Sequence, residues 1–429
     1  MWILSPWFLA GLSTLIGILF TFIPPNIYES VIREKNYMYM NTKLFLFVFL
    51  CMIMYILGSK IFFKLFFNKR IIIYKRVNSV NKYISILSIT IILFFVLLIN
   101  LISLLNLVLR FNIFELLAFS NINGRELRVL VGEVTSGGML GWVRPLSSAL
   151  LLWSYWAILN TKRKTGINTL FFLTVLIFLM NIFLSLTRGP FFNFIIMMTS
   201  ILFLFKSTQN KLTKLFLLRI GVILICVSLF IFIILQVIRF SGTYTEFTIS
   251  EVLMGYFPAS YNRLAAIVEG QLIMPNSNTA YYTTQFIWDF PFLSRSLELY
   301  ELGTNLGLDL PLSANDNWSN QFWAVEIAGL NHNYIWATIF GFVFSDFGWI
   351  SPIWFLIYGG FSGFVYSQFL RGNAVGIILY PYFIFSIARW VSTVQIATRD
   401  IIIYAFAILL VYLVKEVFSP PNRQKVQRQ

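Results

Sequence analysis

Charge is what this chain has least of. Only 11% of its residues are Asp, Glu, Lys or Arg, where a soluble globular chain carries roughly 25%. With 58% hydrophobic residues and 46 phenylalanines, no water-soluble core could hide the apolar side chains, and a bilayer has to act as solvent. Histidine occurs once, at position 332, which excludes a histidine-cluster metal site. The two cysteines, Cys51 and Cys226, both fall inside apolar runs; they read as buried spacers and exclude a disulfide framework. The opening stretch MWILSPWFLAGLSTLIGILFTFI lacks a basic leader and an A-x-A site, so it reads as a first spanning helix. No internal repeat is visible, which argues against a transporter built from inverted halves.

What is present is a series of apolar runs near the length of about 20 residues that a spanning helix needs. They cover 3–23, 44–62, 83–107, 139–160, 168–186, 190–205, 216–238, 350–370, 374–391 and 400–418, with a shorter run at 333–345. The net charge of +15 sits largely in short loops, where it sets topology. No RNA- or DNA-binding motif accompanies it, so nucleic acid is not an expected partner. The 60–82 loop carries Lys60, Lys64, Lys69, Arg70, Lys75, Arg76 and Lys82 and no acid, which assigns it to the cytoplasm. Lys162 to Lys164 and the link holding Lys206, Lys211 and Lys214 alternate with it correctly over seven helices. The N-terminus is then inside and 239–332 outside; that segment holds nine acids, three arginines and no lysine. The basic tail 419–429 returns to the inside. Three long runs follow 332, so the parity makes 333–345 a re-entrant or interfacial helix. Ten spanning helices result, with eleven as the alternative.

This gives four regions: helices one to seven in 1–238, a large outer loop in 239–332, the re-entrant helix and last spans in 333–418, and the tail. The outer loop alternates aromatic patches with polar stretches such as PNSNTA and PLSANDNWSN. It reads as a folded segment packed on the membrane surface, with Tyr and Trp anchoring it at the interface or stacking on sugar rings.

Lysine is absent between Lys214 and Lys415, and the basic residues in between are all arginine. On this topology Arg144, Arg188, Arg239, Arg389 and Arg399 fall near the outer ends of different helices. Guanidinium offers a permanently charged planar fork suited to pyrophosphate and carboxylate oxygens, and ionisable groups inside spanning segments default to functional candidates. Arg389, in FIFSIARWVST, either serves a ligand, snorkels to the interface or pairs with Asp400. Arg188, in SLTRGPFF, precedes Gly189 and Pro190, which suit a turn opening a helix whose N–H groups could cradle phosphate; the plainer reading is a helical hairpin with one interfacial arginine. Arg263 and Arg295 in the outer loop are second-tier candidates for phosphate or acidic sugars. His332 stands where the outer loop meets the membrane, followed by Asn333 and Tyr334, and a near-neutral imidazole can take a proton from a sugar hydroxyl. Asp346, in SDFGW, is either a base, an orienting partner, the counter-ion of an arginine, or an N-cap for 350–370.

TRGP at 187–190, HNY at 332–334 and SDFGWISPIWFLIYGGFSG at 345–363, set in this topology, together resemble the bacterial O-antigen polymerase (Wzy-type) and O-antigen ligase superfamily. Ser351 stands where that family's helix usually has a second glycine. The resemblance implies an all-α, GT-C-like inner-membrane bundle with its active site facing the periplasm. It implies glycosyl transfer between two undecaprenyl-diphosphate-linked oligosaccharides, with no metal, nucleotide or other cofactor and with release of undecaprenyl diphosphate. Arg188 and Arg389 would hold the diphosphate, and His332 or Asp346 would act as base or orienter. Arg144, Arg239, Arg263, Arg295, Asn333, Tyr334 and Arg399 would contact substrate. A ligase passing glycan to a lipid A core is the nearest alternative, and a lipid-linked oligosaccharide flippase a more distant one. Besides the lipid substrates and membrane lipid, whether a chain-length regulator binds is not legible.

Overall fold

The computed structural model describes residues 2–67, 140–160, 189–209, 249–291 and 293–417, with short helical stretches between 90 and 109 and between 169 and 180 and isolated positions 213 and 219. Regular structure among the described residues is entirely helical. The expected spans at 168–186 and 216–238 lie mostly or wholly outside the described residues, and only Leu93–Ile102 represents 83–107.

The helices are α1 Pro6–Phe20, α2 Pro25–Ile32, α3 Thr42–Phe66, α4 Leu140–Asn160, α5 Gly189–Thr208, α6 Ile249–Tyr256, α7 Pro258–Val268, α8 Tyr281–Trp288, α9 Leu293–Ser296, α10 Leu299–Asn305, α11 Ala314–Ile327, α12 Thr338–Phe347, α13 Ser351–Arg371, α14 Ala374–Ala388 and α15 Asp400–Val417. The chain forms two compact units. One comprises Met1–Phe67, Thr245–Ser367 and Tyr382–Ile402; the other comprises Asn68–Tyr244, Gln368–Pro381 and Ile403–Gln429. In the second unit α4 and α5 pack side by side. All contacts described next belong to the first.

α3 shows why a membrane is needed. Asn41 caps its start, accepting from the Leu44 N–H at 3.0 Å, and no proline interrupts its 25 residues, about 37 Å of helix. Leu44, Phe47, Val48, Cys51, Met52 and Tyr55 are buried, while Leu46, Phe49, Ile53, Leu57, Ile61 and Leu65 are exposed. Both faces are apolar, and one has no protein cover. A water-soluble helix would carry charge on that face; here it suits lipid. α1 is shorter, and the chain bends by 91° between it and α2.

α3 and α13 meet backbone to backbone. A Cβ on Gly58 would lie 2.1 Å from the Leu356 carbonyl oxygen, and one on Gly359 or Gly363 would lie 2.1 Å from the Tyr55 or Ser59 carbonyl oxygen. Only glycine permits this approach.

The run expected at 333–345 forms α12, displaced to Thr338–Phe347. Its ten residues span about 15 Å, half a hydrocarbon core. It does not continue straight into α13. Phe340 and Phe355 stack with centroids 5.1 Å apart, although fifteen residues of straight helix would separate them by about 22 Å. The Ser351 hydroxyl donates to the Val343 carbonyl at 3.0 Å, closing the same fold-back. The reversal turns on Gly348, at φ 54° and ψ −135°, a conformation that a side chain strains. α12 is buried almost all round. Ile267 of α7 packs against it at Gly341, Tyr282 of α8 lies on Phe342, and Phe47 of α3 lies edge-on to Phe344.

The segment between α2 and α3 docks on the residues 249–332. Asn262 accepts from the Tyr37 N–H at 2.6 Å. Lys43 pairs with Glu269 at 3.0 Å. Glu269 follows the C-terminus of α7, where a carboxylate meets the unfavourable end of the helix dipole; the hydrogen bonds from Lys43 and Asn41 nevertheless hold its pKa below the ordinary carboxylate value. Leu293, Leu297, Leu302, Leu306, Leu312, Trp323 and Ile327, spread over α9 to α11, are exposed.

Candidate functional site

The site grows from a buried ion pair that local sequence gives little reason to expect. Arg33 ends α2 in the left-handed conformation, at φ 61°, and the turn brings Glu34 inward. α7 presents Asn262 and Arg263 in succession, both fully buried. Arg263 forks onto Glu34, Nη1 to Oε1 at 2.9 Å and Nη2 to Oε2 at 2.8 Å. The Asn262 amide donates to the same Oε1 at 3.0 Å, and the Tyr28 hydroxyl also donates to it. The Asn331 N–H donates to Oε2 at 2.7 Å. The carboxylate is thus saturated, as a buried charge must be. Arg263, expected to contact substrate, directs its two terminal nitrogens onto Glu34 and onto the carbonyls of Ala259 and Asn331, the two carbonyls each at 2.8 Å.

Asn331 is held on all sides. Besides the two backbone bonds, its amide donates to the Ile32 carbonyl at 2.9 Å, and its Oδ1 accepts from the Asn333 N–H at 3.1 Å. A turn follows in which the Tyr334 N–H donates to the Asn331 carbonyl at 3.1 Å. His332 and Asn333 are exposed at its tip, while Tyr334 is half-buried. The Tyr334 hydroxyl donates to the Glu251 carbonyl at 3.2 Å. Its ring occupies the space over Gly255, where an added Cβ would be 1.9 Å from a ring carbon. Burial, and then the Glu251 charge, push the Tyr334 phenol up to about 12.

Four residues later α12 begins. Ala337 precedes it without a side-chain cap, and Thr338, its first residue, instead accepts from the Gly341 N–H at 3.3 Å. The Ile339 N–H donates to the Trp390 carbonyl at 2.8 Å. The histidine turn leads through a few residues of chain into the start of α12, where the 389–390 corner is bonded. There half-buried Arg389 donates to the Gln395 side-chain oxygen at 2.7 Å and lies over the Phe385 ring. The Gln395 amide reaches Asp400 at 3.4 Å, and its backbone carbonyl accepts from Tyr382 at 2.7 Å. Arg399, partly exposed, adjoins Asp400. Arg389 is therefore linked to Asp400 through Gln395, a geometry between the two expectations of ligand binding and direct pairing.

Asp346 sits at the other end of α12, about 12 Å from Thr338 by helical rise. Its carboxylate accepts from the Thr283 N–H at 2.8 Å and the Tyr282 N–H at 3.4 Å. It caps α8, where the sequence suggested a cap for 350–370, and it forms no dyad with His332. Arg295 is exposed on α9. Arg144 lies in the first turn of α4 with its side chain outside the described residues, and Arg188 and Arg239 lie outside them altogether. Of the five arginines expected at one level, the structure brings together Arg389 and Arg399. Sequence reasoning missed Glu34, Asn262, Asn331 and Gln395. One signal was available for Glu34: it and Glu29 are the only acids before Glu115.

No protein-family model, curated protein or solved structure matches the chain.

Proposed function

We propose that this chain is a glycosyltransferase that polymerises undecaprenyl-diphosphate-linked oligosaccharide repeat units at the periplasmic face of a bacterial inner membrane, in the manner of the O-antigen polymerases. One observation supports the reading: an exposed histidine on a fixed turn leads into a short, buried, folded-back helix whose first turn bonds the corner that carries a half-buried arginine. The reaction needs a proton acceptor and a cation for an anionic leaving group, with an apolar surround for polyprenyl tails.

In the proposed reaction a hydroxyl oxygen of the acceptor's terminal sugar bonds to the anomeric carbon of the donor. The bond from that carbon to the diphosphate oxygen breaks with its electron pair. The hydroxyl proton passes to His332, and undecaprenyl diphosphate departs. Arg389 and Arg399 stabilise the charge that develops on it, joined in this reading by Arg188. A positioned base contributes about 10²- to 10⁴-fold, and a fixed charge at a developing anion about 10²- to 10³-fold. Asp346 is assigned an orienting part, since two backbone N–H groups already occupy its carboxylate.

The histidine turn also supports a second reading, an O-antigen ligase using the same donor chemistry on a lipid A core. Both are tested with purified protein in lipid, given synthetic undecaprenyl-diphosphate repeat units. A glycan ladder with released lipid diphosphate, lost in His332→Ala and Arg389→Ala, is the expected result. A ladder that both variants make at the wild-type rate sinks the assignment. Transfer only to added lipid A core makes the protein a ligase. No product from either acceptor, with folded protein and matched substrates, turns the reading to transport of lipid-linked oligosaccharide.

A further inference from the structure

We infer that Glu34, acting with Arg263, is a positioning residue for His332. The inference rests on the proposed function for the role of the histidine, but its geometry stands separately. The two partners of the ion pair grip the two backbone polar groups of the residue immediately before the histidine: Glu34 accepts the Asn331 N–H at 2.7 Å, and Arg263 donates to the Asn331 carbonyl at 2.8 Å. Because the same Arg263 nitrogen also binds the Glu34 oxygen that accepts from Asn331, the three residues close a hydrogen-bonded ring. Tyr334 clamps the other side of the turn through Glu251 and the space over Gly255. Only residues 332 and 333 are left projecting.

A fully buried ion pair is a weak route to stability, because desolvation cancels much of the attraction and an apolar replacement is often neutral. What such a pair does supply is direction. Each donor has one acceptor geometry, and a slip of the turn would strand a buried charge. The pair also ties together segments of the chain 229 residues apart, so the turn cannot move without the α2–α3 connection moving with it.

The histidine is its own probe, since the chain has no other. The protein is prepared full-length in lipid nanodiscs with a histidine-free tag and imidazole-labelled histidine. The His332 resonance width and its rate of carbethoxylation by diethyl pyrocarbonate are then read well below the melting temperature. In Glu34→Gln the resonance narrows and carbethoxylation rises several-fold, while Glu34→Asp, which keeps a charged acceptor for the Asn331 N–H, departs less from wild type. Arg263→Lys keeps a cation beside Glu34 but removes the fork that also holds the Asn331 carbonyl, and it gives the same loosening even should Glu34→Gln not fold. An unchanged width and rate in a folded Glu34→Gln or Arg263→Lys protein overturns the inference, whatever the activity of His332→Ala. A loosened signal upholds it even where His332→Ala retains polymerisation, the result that would instead remove the proposed base.

Discussion

Thr338 is a β-branched residue at φ 63° with no solvent exposure. A side chain held in that region costs on the order of 1–3 kcal/mol, and its Oγ1 recovers part of this by accepting from the Gly341 N–H in the first turn of α12. Thr338→Asn keeps an acceptor on a residue that tolerates the left-handed region, and it should raise thermal stability by up to about 1 kcal/mol. Thr338→Val keeps the shape without the acceptor and should lower it by about 1–2 kcal/mol. Melting by size-exclusion after heating ranks the two, and the reverse order would dismiss that account. Tyr334 gives a pH signature. Its phenol is raised from 10.0 to about 12 in the fold, so the folded state favours the neutral form. The stabilisation is complete below pH 10 and is lost as pH climbs through 12. Tyr334→Phe should therefore show a flatter fall in melting temperature over that window; parallel curves would contradict it. His332, Asn333 and Tyr334 were legible because polar residues stand out at the edge of an apolar run. Glu34 was not, because what distinguishes it from any loop acid lies more than two hundred residues away.

Among the elements, α12 is the informative one. Hydropathy alone cannot separate a short crossing from a fold-back; charge parity across the last helices predicted a partial helix at 333–345. The displacement to Thr338–Phe347 follows from the Thr338 bond in its first turn and from Gly348. Of the readings open for Asp346, the cap takes a different helix from 350–370: a carboxylate caps whichever helix N-terminus reaches it, and tertiary structure brought α8. A substitution at Gly348 separates conformation from space. A Cβ there meets nothing within 4 Å, so Gly348→Ala should destabilise by about 1–3 kcal/mol through backbone strain alone. A neutral Gly348→Ala, measured in the same thermal assay, would mean that the reversal does not depend on this residue.

For the whole molecule, composition made membrane residence plain, and the uncovered apolar stripe on α3 gives it a physical form. Three of the expected spans and three of the outer-level arginines bear on residues or side chains outside those described, so their placement rests on charge parity. That parity has a direct check. In a background with both native cysteines replaced, Asn333→Cys should react with a membrane-impermeant maleimide added outside spheroplasts, and Lys75→Cys only after permeabilisation. The opposite pattern would invert the assignment and move the histidine turn to the cytoplasm. The glycine contacts between α3 and α13 bear on movement. Helices whose carbonyl oxygens lie where side chains would be cannot roll, slide or part without breaking many contacts at once. Gly58, Gly359 and Gly363 therefore make this pair a fixed frame during any working cycle. Movement demanded by the proposed reaction is then expected along another boundary, and probes on α3 and α13 supply the stationary origin from which it is measured.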